Sequence, residues 1–405
     1  MQKTGACRPS PLRIGAAVLA GTSLVACASR AEEPEPLPPI ELVSVMPAAS
    51  RDVDRITWNL ARGEPDTLNP YASVTLSSGQ VVKNICDALL SVDPEFNVGP
   101  GIAELEQVSD TRLVFTVLDG AVFSDGSPVT AEDVVFSMER AASPDSVVSY
   151  VFAHVDSITA TSTREVTVEL TEPDILFSSA MSTIAGTVLK KEWALAAVDA
   201  VGTPEGGLVC SGPFLLEDWT SGNSLTLRRN DAYWNDEVRP FAEQVEFTFV
   251  TDATAMAQAL AAGEIDGGYD LPASAIPTLR DAGGGELVFG PSTTGFFLSV
   301  ARPDGPLADL KLREALQHVV DRQALADVVF HGAAAPAYTQ LTEGTWPSGE
   351  RELYEQAYEP FVQGRAYDLE AARALVEESD YDGETVVLAI QAGNETSSRA
   401  AQLIQ

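Results

Sequence analysis

Histidine is scarce in this chain. There are three in 405 residues, His154, His318 and His331, and none falls in an H-E-x-x-H or a cysteine–histidine metal spacing. His318, beside Val319 and Val320 on a predicted helix, reads as structural, and no metal site is implied. Catalytic signatures are missing too. There is no G-x-S-x-G elbow, no P-loop and no G-x-G-x-x-G, and Gly283-Gly284-Gly285 has no phosphate context. With 59 acidic residues, a nearby Asp/Glu pair is expected by chance, so carboxylates identify no active site. No catalytic set stands out and no cofactor is called for. Basic residues are also few, 25 against 59 acids, for a formal charge of −34. Such a field repels phosphate backbones and anionic lipid surfaces, which disfavours nucleic acid as a partner. An acidic cleft could favour cationic ligands, but charge of this size usually serves solubility or tolerance of salt.

Long apolar runs are equally sparse. The one near the start, residues 14–26, follows Lys3, Arg8 and Arg13 and is too short to stay in a bilayer as a spanning helix. It reads as a signal peptide. Leu24-Val25-Ala26-Cys27 then looks like a bacterial lipobox, with cleavage before Cys27 and lipidation of its thiol; the alternative is ordinary cleavage nearby. A lipidated Cys27 followed by a Pro- and Glu-rich stretch, residues 28–50, describes a tethered protein that does not span the membrane. Cleavage there removes three cations and no acid, so −34 becomes −34 − 3 = −37. Of the four cysteines, Cys7 would leave with the signal peptide and Cys27 would carry lipid, leaving Cys86 and Cys210.

What is present is a chain with 45% hydrophobic residues and no evident repeat, enough for more than one core. Strands are predicted at residues 54–60, 113–118, 162–170, 225–229 and 245–250 from β-rich or alternating patterns. Helices are predicted at 77–90, at 252–262 with Gly263 as the stop, and as two segments within 307–330. The alternation of strands and helices is an α/β pattern. The clearest local signal is FSDGSPVTAEDVVFSMERA at 123–141. Asp125-Gly126 and Ser127-Pro128 make a turn, Thr130 and Asp133 make a capping box, and Val134, Val135 and Met138 give the following helix one apolar side.

That segment resembles the F-x-D-G-x-P-x-T-A-x-D-V-x-F-S fingerprint of the family 5, peptide/nickel-type extracytoplasmic solute-binding proteins of ABC importers. Further stretches are similar to that family in the same order. They are TLNPY at 67–71, NICDALL at 84–90, VCSGPF at 209–214, RNDAYW at 229–234, AGEID at 262–266 with Leu271-Pro272, and the L-R-x-A-L and D-R-x-x-L series within 309–322. The resemblance implies an α/β, two-lobed periplasmic-binding-protein-like fold, type II and cluster C, with an extra inserted domain. Carried onto this numbering, residues 1–26 are the signal peptide and 27–51 the lipidated cysteine and tether. Lobe I is then 52–86 plus 190–294, the inserted domain 87–189, and lobe II 295–405. Relatives continue through lobe II and return to lobe I, so lobe II is expected to be incomplete at Gln405. The resemblance places Cys86 and Cys210 in one domain, where they either form a disulfide or stay as buried thiols.

The function implied is binding without catalysis: an open two-lobed protein takes up a peptide-like solute, closes, and docks on permease subunits. It would work outside the cytoplasm as a lipid-anchored monomer. The matching ligand positions are Thr75, Leu76 and Ser77, through their backbone, and Tyr150. For Tyr150 a core position is the competing reading, because Val147, Val148, Val151 and Phe152 surround it. Sugars, opines and nickel chelates are alternatives on the same scaffold, as is a surface lipoprotein for signalling or adhesion.

Overall fold

A computed structural model describes residues 40–405 apart from 95, 347 and 391–394. The signal-peptide reading, Cys27 and residues 28–39 of the tether lie outside the described residues.

From the N-terminal side the elements run β1 (Val53–Leu60), α1 (Leu76–Ile85), β2 (Leu90–Val92), β3 (Val98–Pro100), β4 (Ala103–Ser109), β5 (Arg112–Val117) and α2 (Ala131–Ala142). They continue through β6 (Val155–Ala160), β7 (Glu165–Leu170), α3 (Phe177–Ala180) and α4 (Lys191–Ala197) to β8 (Phe214–Thr220), β9 (Ser224–Arg229) and β10 (Ala242–Thr248). Then come α5 (Ala253–Ala262), β11 (Gly267–Tyr269), α6 (Ile276–Ala282), α7 (Leu310–Val319), α8 (Arg322–Val328), α9 (Arg351–Gly364), α10 (Leu369–Glu377) and α11 (Glu395–Ile404).

Two larger sheets use separate stretches of the chain. One has the order β11-β1-β10-β9-β8, with β1 parallel to both β10 and β11 and the β8-β9-β10 edge antiparallel. The other, β4-β5-β7-β6, is antiparallel throughout and comes from within residues 103–170, next to the β2-β3 hairpin. In the first sheet Leu60, Leu225 and Leu227 are fully buried; in the second Phe115, Val166 and Val168 are. Asn59, also fully buried, donates its amide to the Val250 carbonyl and accepts from the Val250 N–H and the Thr248 hydroxyl. Its polar atoms are thereby satisfied, and the chain leaves β10 before the predicted end at Val250.

Two expectations need correction. The helix read as 77–90 stops at Ile85: Cys86 takes an extended backbone and is joined to Cys210, while Leu90 opens β2. The α/β alternation also fails in the last third, where the described residues of 270–405 contain helices and no strand. The apolar run Phe296, Phe297, Leu298 and Val300 lies exposed in irregular backbone there.

Candidate functional site

The fingerprint at 123–141 holds the scaffold together. Asp125 Oδ1 accepts from the backbone N–H and the hydroxyl of Ser127, closing the turn in which Gly126 takes a positive φ of 82°. Its other oxygen takes the ammonium of Lys190. Partial burial alone would raise the Asp125 carboxyl, but the Lys190 and Ser127 hydrogen bonds hold it down at about 2. Asp133 completes the capping box on Thr130 and also accepts the Lys191 N–H at 2.9 Å. Ser137, on α2, receives the Leu189 N–H at 2.9 Å, and the Ser124 N–H reaches the Cys210 carbonyl at 2.8 Å. The outgoing segment is thus clasped to the returning one at 189–191 and at 210.

The other shared segments also bond inward. Asn230 is buried, donates to the Gly212 carbonyl and receives the Ala232 N–H. Tyr233 and Trp234 both donate to Asp87, at 3.1 and 2.9 Å. Burial pushes the Asp87 carboxyl up, and the bonds from Trp234 and Tyr233 offset this only in part. Asp266 ties the start of β11 to β1 by accepting the Thr57 N–H at 2.7 Å. Arg322, read as part of D-R-x-x-L, spends its donors on the carbonyls of Gln317, Val320, Ala337 and Arg365 and on the Gln317 side chain, and lies over the Tyr338 ring. Cys86 and Cys210 are disulfide-bonded across a sequence separation of 124.

The candidate binding loop is built on the TLNPY turn. The Leu68 N–H and Thr67 hydroxyl both reach the Gly202 carbonyl, and the Tyr71 N–H is taken by Asn69 Oδ1. Gly202 sits at φ +77°, and a Cβ there would come within 2.1 Å of the Asn69 nitrogen, so the turn closes only on glycine. Tyr71 is buried and donates its hydroxyl to the Thr187 carbonyl at 2.6 Å; burial raises its pKa. Beyond it the chain emerges. Thr75 caps α1 by accepting the Ser78 N–H, and Asp66 Oδ1 accepts the hydroxyls of Ser73, Thr75 and Ser78 at 2.6, 3.1 and 2.8 Å. Those hydroxyls outweigh the upward push of partial burial and keep the Asp66 carboxyl below its ordinary value.

The four predicted ligand residues separate by role. The Thr75 side chain is committed to capping, which fits the reading that only its backbone is available. Leu76 is half-exposed, whereas Ser77 is buried and its hydroxyl has no partner among the described residues. Tyr150, in a short 3₁₀ turn, is 75% exposed, so the core alternative is excluded. The Val147 N–H donates to the Tyr71 carbonyl at 3.0 Å, which brings the turn carrying Tyr150 against the loop carrying Leu76. His154 pairs with Glu172, and His318 Nδ1 lies 2.7 Å from the Ala366 carbonyl. Among the described residues there is no cluster of potential metal ligands, and no helix is long and apolar enough to cross a membrane.

Residues 97–405 match the family model described as bacterial extracellular solute-binding proteins, family 5 Middle. The chain belongs to that family. It is 28% identical over 349 residues to the glutathione-binding protein GsiB of Salmonella typhi, an alignment covering 84% of this chain and 64% of the relative. It is 26% identical over 378 residues to the probable deoxycholate-binding periplasmic protein YgiS of Escherichia coli K12, covering 85% and 68%. Among solved structures it is similar to the oligopeptide-binding protein AppA of Bacillus subtilis in complex with a nonapeptide, with a TM-score of 0.67 at 20% identity over 88% of this chain and 72% of the other. This family 5 chain therefore has the periplasmic-binding-protein fold, and it spans 64% of the length of GsiB.

Proposed function

We propose that this chain is the substrate-binding component of an ABC importer, acting outside the cytoplasm and taking a peptide-like solute into a cleft lined on one side by residues 71–77 of lobe I and Tyr150 of the inserted domain. The observation that carries this reading is the meeting of an exposed loop and an exposed aromatic at Val147–Tyr71, on a scaffold whose shared motifs all bond inward. Lobe I comprises 52–86 and 190–294, the inserted domain 87–189, and lobe II begins near 295. In the two sheets, β1 and β8–β11 fall in the first of these and β4–β7 in the second. The loop offers backbone groups and short hydroxyls, which suit an extended ligand with its own amides. Cys27 carries lipid and anchors a monomer near its permease. The lack of any P-loop fits an importer whose ATPase is a separate subunit.

The test is a thermal-shift and calorimetric screen of the full chain against pooled tripeptides, glutathione, deoxycholate, simple sugars and Ni²⁺. A ligand at about a hundred times its Kd stabilises by about 2.7 kcal/mol, which is readily seen as a rise in Tm. Peptide pools are expected to give the rise. A rise with deoxycholate, sugar or Ni²⁺ but not peptide would replace the solute class. Palmitate labelling of expressing cells, lost in Cys27→Ser, tests the anchor.

A further inference from the structure

On the lobe boundaries proposed above, the chain passes from lobe I into lobe II near residues 290–295, and contacts on both sides of that crossing lead to one cluster. Before it, the Arg280 guanidinium in the last turn of α6 lies 5.8 Å from the centroid of the Phe289 ring. After it, Phe296 meets Phe330 with ring centroids 5.9 Å apart, and the next residue is His331. At the start of α11, Glu395 accepts the Ser274 hydroxyl at 3.0 Å and pairs with Arg399 at 3.6 Å. Ser274 and Arg280 stand on the lobe I side; His331, Glu395 and Arg399 stand on the lobe II side. His331 is the strained member. Its backbone is left-handed at φ +50°, a conformation most residues with a Cβ avoid, and its Nε2 is buried with no hydrogen-bond partner among the described residues. Burial first, then the Arg399 and Arg280 guanidiniums, disfavour the charged ring; Glu395 opposes them only in part, and the imidazole is held below its ordinary 6.5. The acid of the preceding helix, Asp327, accepts from the Gln323 amide. A third cation at this place would therefore meet two guanidiniums and one carboxylate that Ser274 and Arg399 already share.

We infer that His331 makes this junction a pH-sensitive latch, which holds the two lobes together while its ring is neutral and loosens when the ring takes a proton beside Arg280 and Arg399. The inference rests on the lobe boundaries and on no particular solute. Parting the junction frees the ring from burial and from both guanidiniums, so the open form binds the proton more readily and acid favours opening. The latch is at full strength well above pH 6.5, where the ring is neutral in both forms, and it weakens as the pH falls below that value. Where closure completes the cleft, solute is held at neutral pH and let go in acid.

The experiment is amide hydrogen exchange read by mass spectrometry on the full chain, without solute, at about pH 8 and about pH 5.5, with each rate divided by the intrinsic rate at that pH. Parent, His331→Asn and Arg280→Gln are compared; asparagine tolerates the left-handed backbone and does not titrate. Peptides from 273–282 and 395–404 report the junction, and peptides from β4–β7 serve as the reference. In the parent, opening at the junction is expected to rise by about threefold or more between the two pH values while the reference stays level. His331→Asn should abolish that rise, and Arg280→Gln, which removes one of the facing cations, should cut it to less than about twofold. If parent and His331→Asn respond alike, or if the reference peptides loosen as much as the junction, the inference is overturned. Should His331→Asn fail to fold, Arg280→Gln decides: a rise as large as the parent's overturns the latch. The importer reading is tested separately by the solute screen, so either can fail without the other.

Discussion

Asp133 offers the sharpest test of how the shared fingerprint works. It is 8% exposed, and its two oxygens serve different parts of the chain. One closes the capping box on the Thr130 N–H at 3.0 Å and the Thr130 hydroxyl at 2.6 Å; the other takes the Lys191 N–H at 2.9 Å. Thr130→Ala removes only the cap hydroxyl and should cost about 1 kcal/mol. Asp133→Ala removes the same box and also orphans two backbone donors, Thr130 N–H and Lys191 N–H. At about 1.5 kcal/mol for each lost bond to a charged acceptor, the loss should be about 3 kcal/mol. Asp133→Asn keeps one carbonyl oxygen, which can serve one of the two donors, and should fall between them. Urea unfolding followed by far-UV circular dichroism gives all three values, provided the slope is unchanged. If Asp133→Ala cost no more than Thr130→Ala, the tie to Lys191 would contribute nothing, and the fingerprint would be a helix cap alone.

Three other perturbations follow from the geometry. Removing the Cys86–Cys210 disulfide by paired alanine substitution frees a loop spanning a separation of 124 residues and should destabilise by about 5 kcal/mol on the chain-entropy account, read as a lower urea midpoint; an unchanged midpoint would contradict it. Gly202→Ala has to place a Cβ 2.1 Å from the Asn69 nitrogen at φ +77°, so it should cost at least about 3 kcal/mol or abolish soluble expression, and a well-folded Gly202→Ala of parental Tm would show that the turn is not so constrained. Asp125, held at about 2 against an ordinary 3.8, contributes stability that is fully present above about pH 4 and is lost as pH falls towards 2. Its side chain is 44% exposed, so the contribution is discounted to about 1 kcal/mol. Asp125→Asn should flatten the fall of Tm between about pH 5 and 2, and an identical slope in parent and variant would refute the assignment. Asp87 works in the opposite sense: its carboxyl is raised, so its ionisation costs stability as pH climbs above the ordinary value.

The sequence was most legible where the chemistry is local. The turn at Asp125, the cap at Thr130 and the stop at Gly263, which takes φ +71° at the end of α5, all depend on residues within a few positions of one another. Edge strands were missed for a physical reason. β4 and β6 are the outer strands of their sheet and β8 the outer strand of the other, so they carry Glu, Asp and Thr at positions where an inner strand alternates. The end of α1 was overrun because Leu89 and Leu90 keep the helical spacing; only the pairing of Cys86 with a residue far along the chain shows why the helix stops. No pattern in residues 84–90 encodes that partner.

The candidate binding residues posed a harder problem, because the forces that make a motif recognisable differ from those that make a pocket. Asn230, Tyr233, Trp234, Asp266 and Arg322 are all spent on carbonyls, N–H groups or carboxylates of the same chain. Changing any of them breaks the scaffold, which is why their spacing is readable and why they say nothing about cargo. Tyr150 obeys no such constraint. Its neighbours Val148 and Phe152 are buried while it is exposed, and in a 3₁₀ turn neither the helical nor the strand period separates inward from outward positions. The decisive fact is the single hydrogen bond from Val147 to Tyr71, which links segments 76 residues apart in sequence. Once that bond is known, exposed Val74 and Leu76 on one segment and exposed Tyr150 on the other are seen to flank a single junction, a neighbourhood that the periodicity of neither segment encodes.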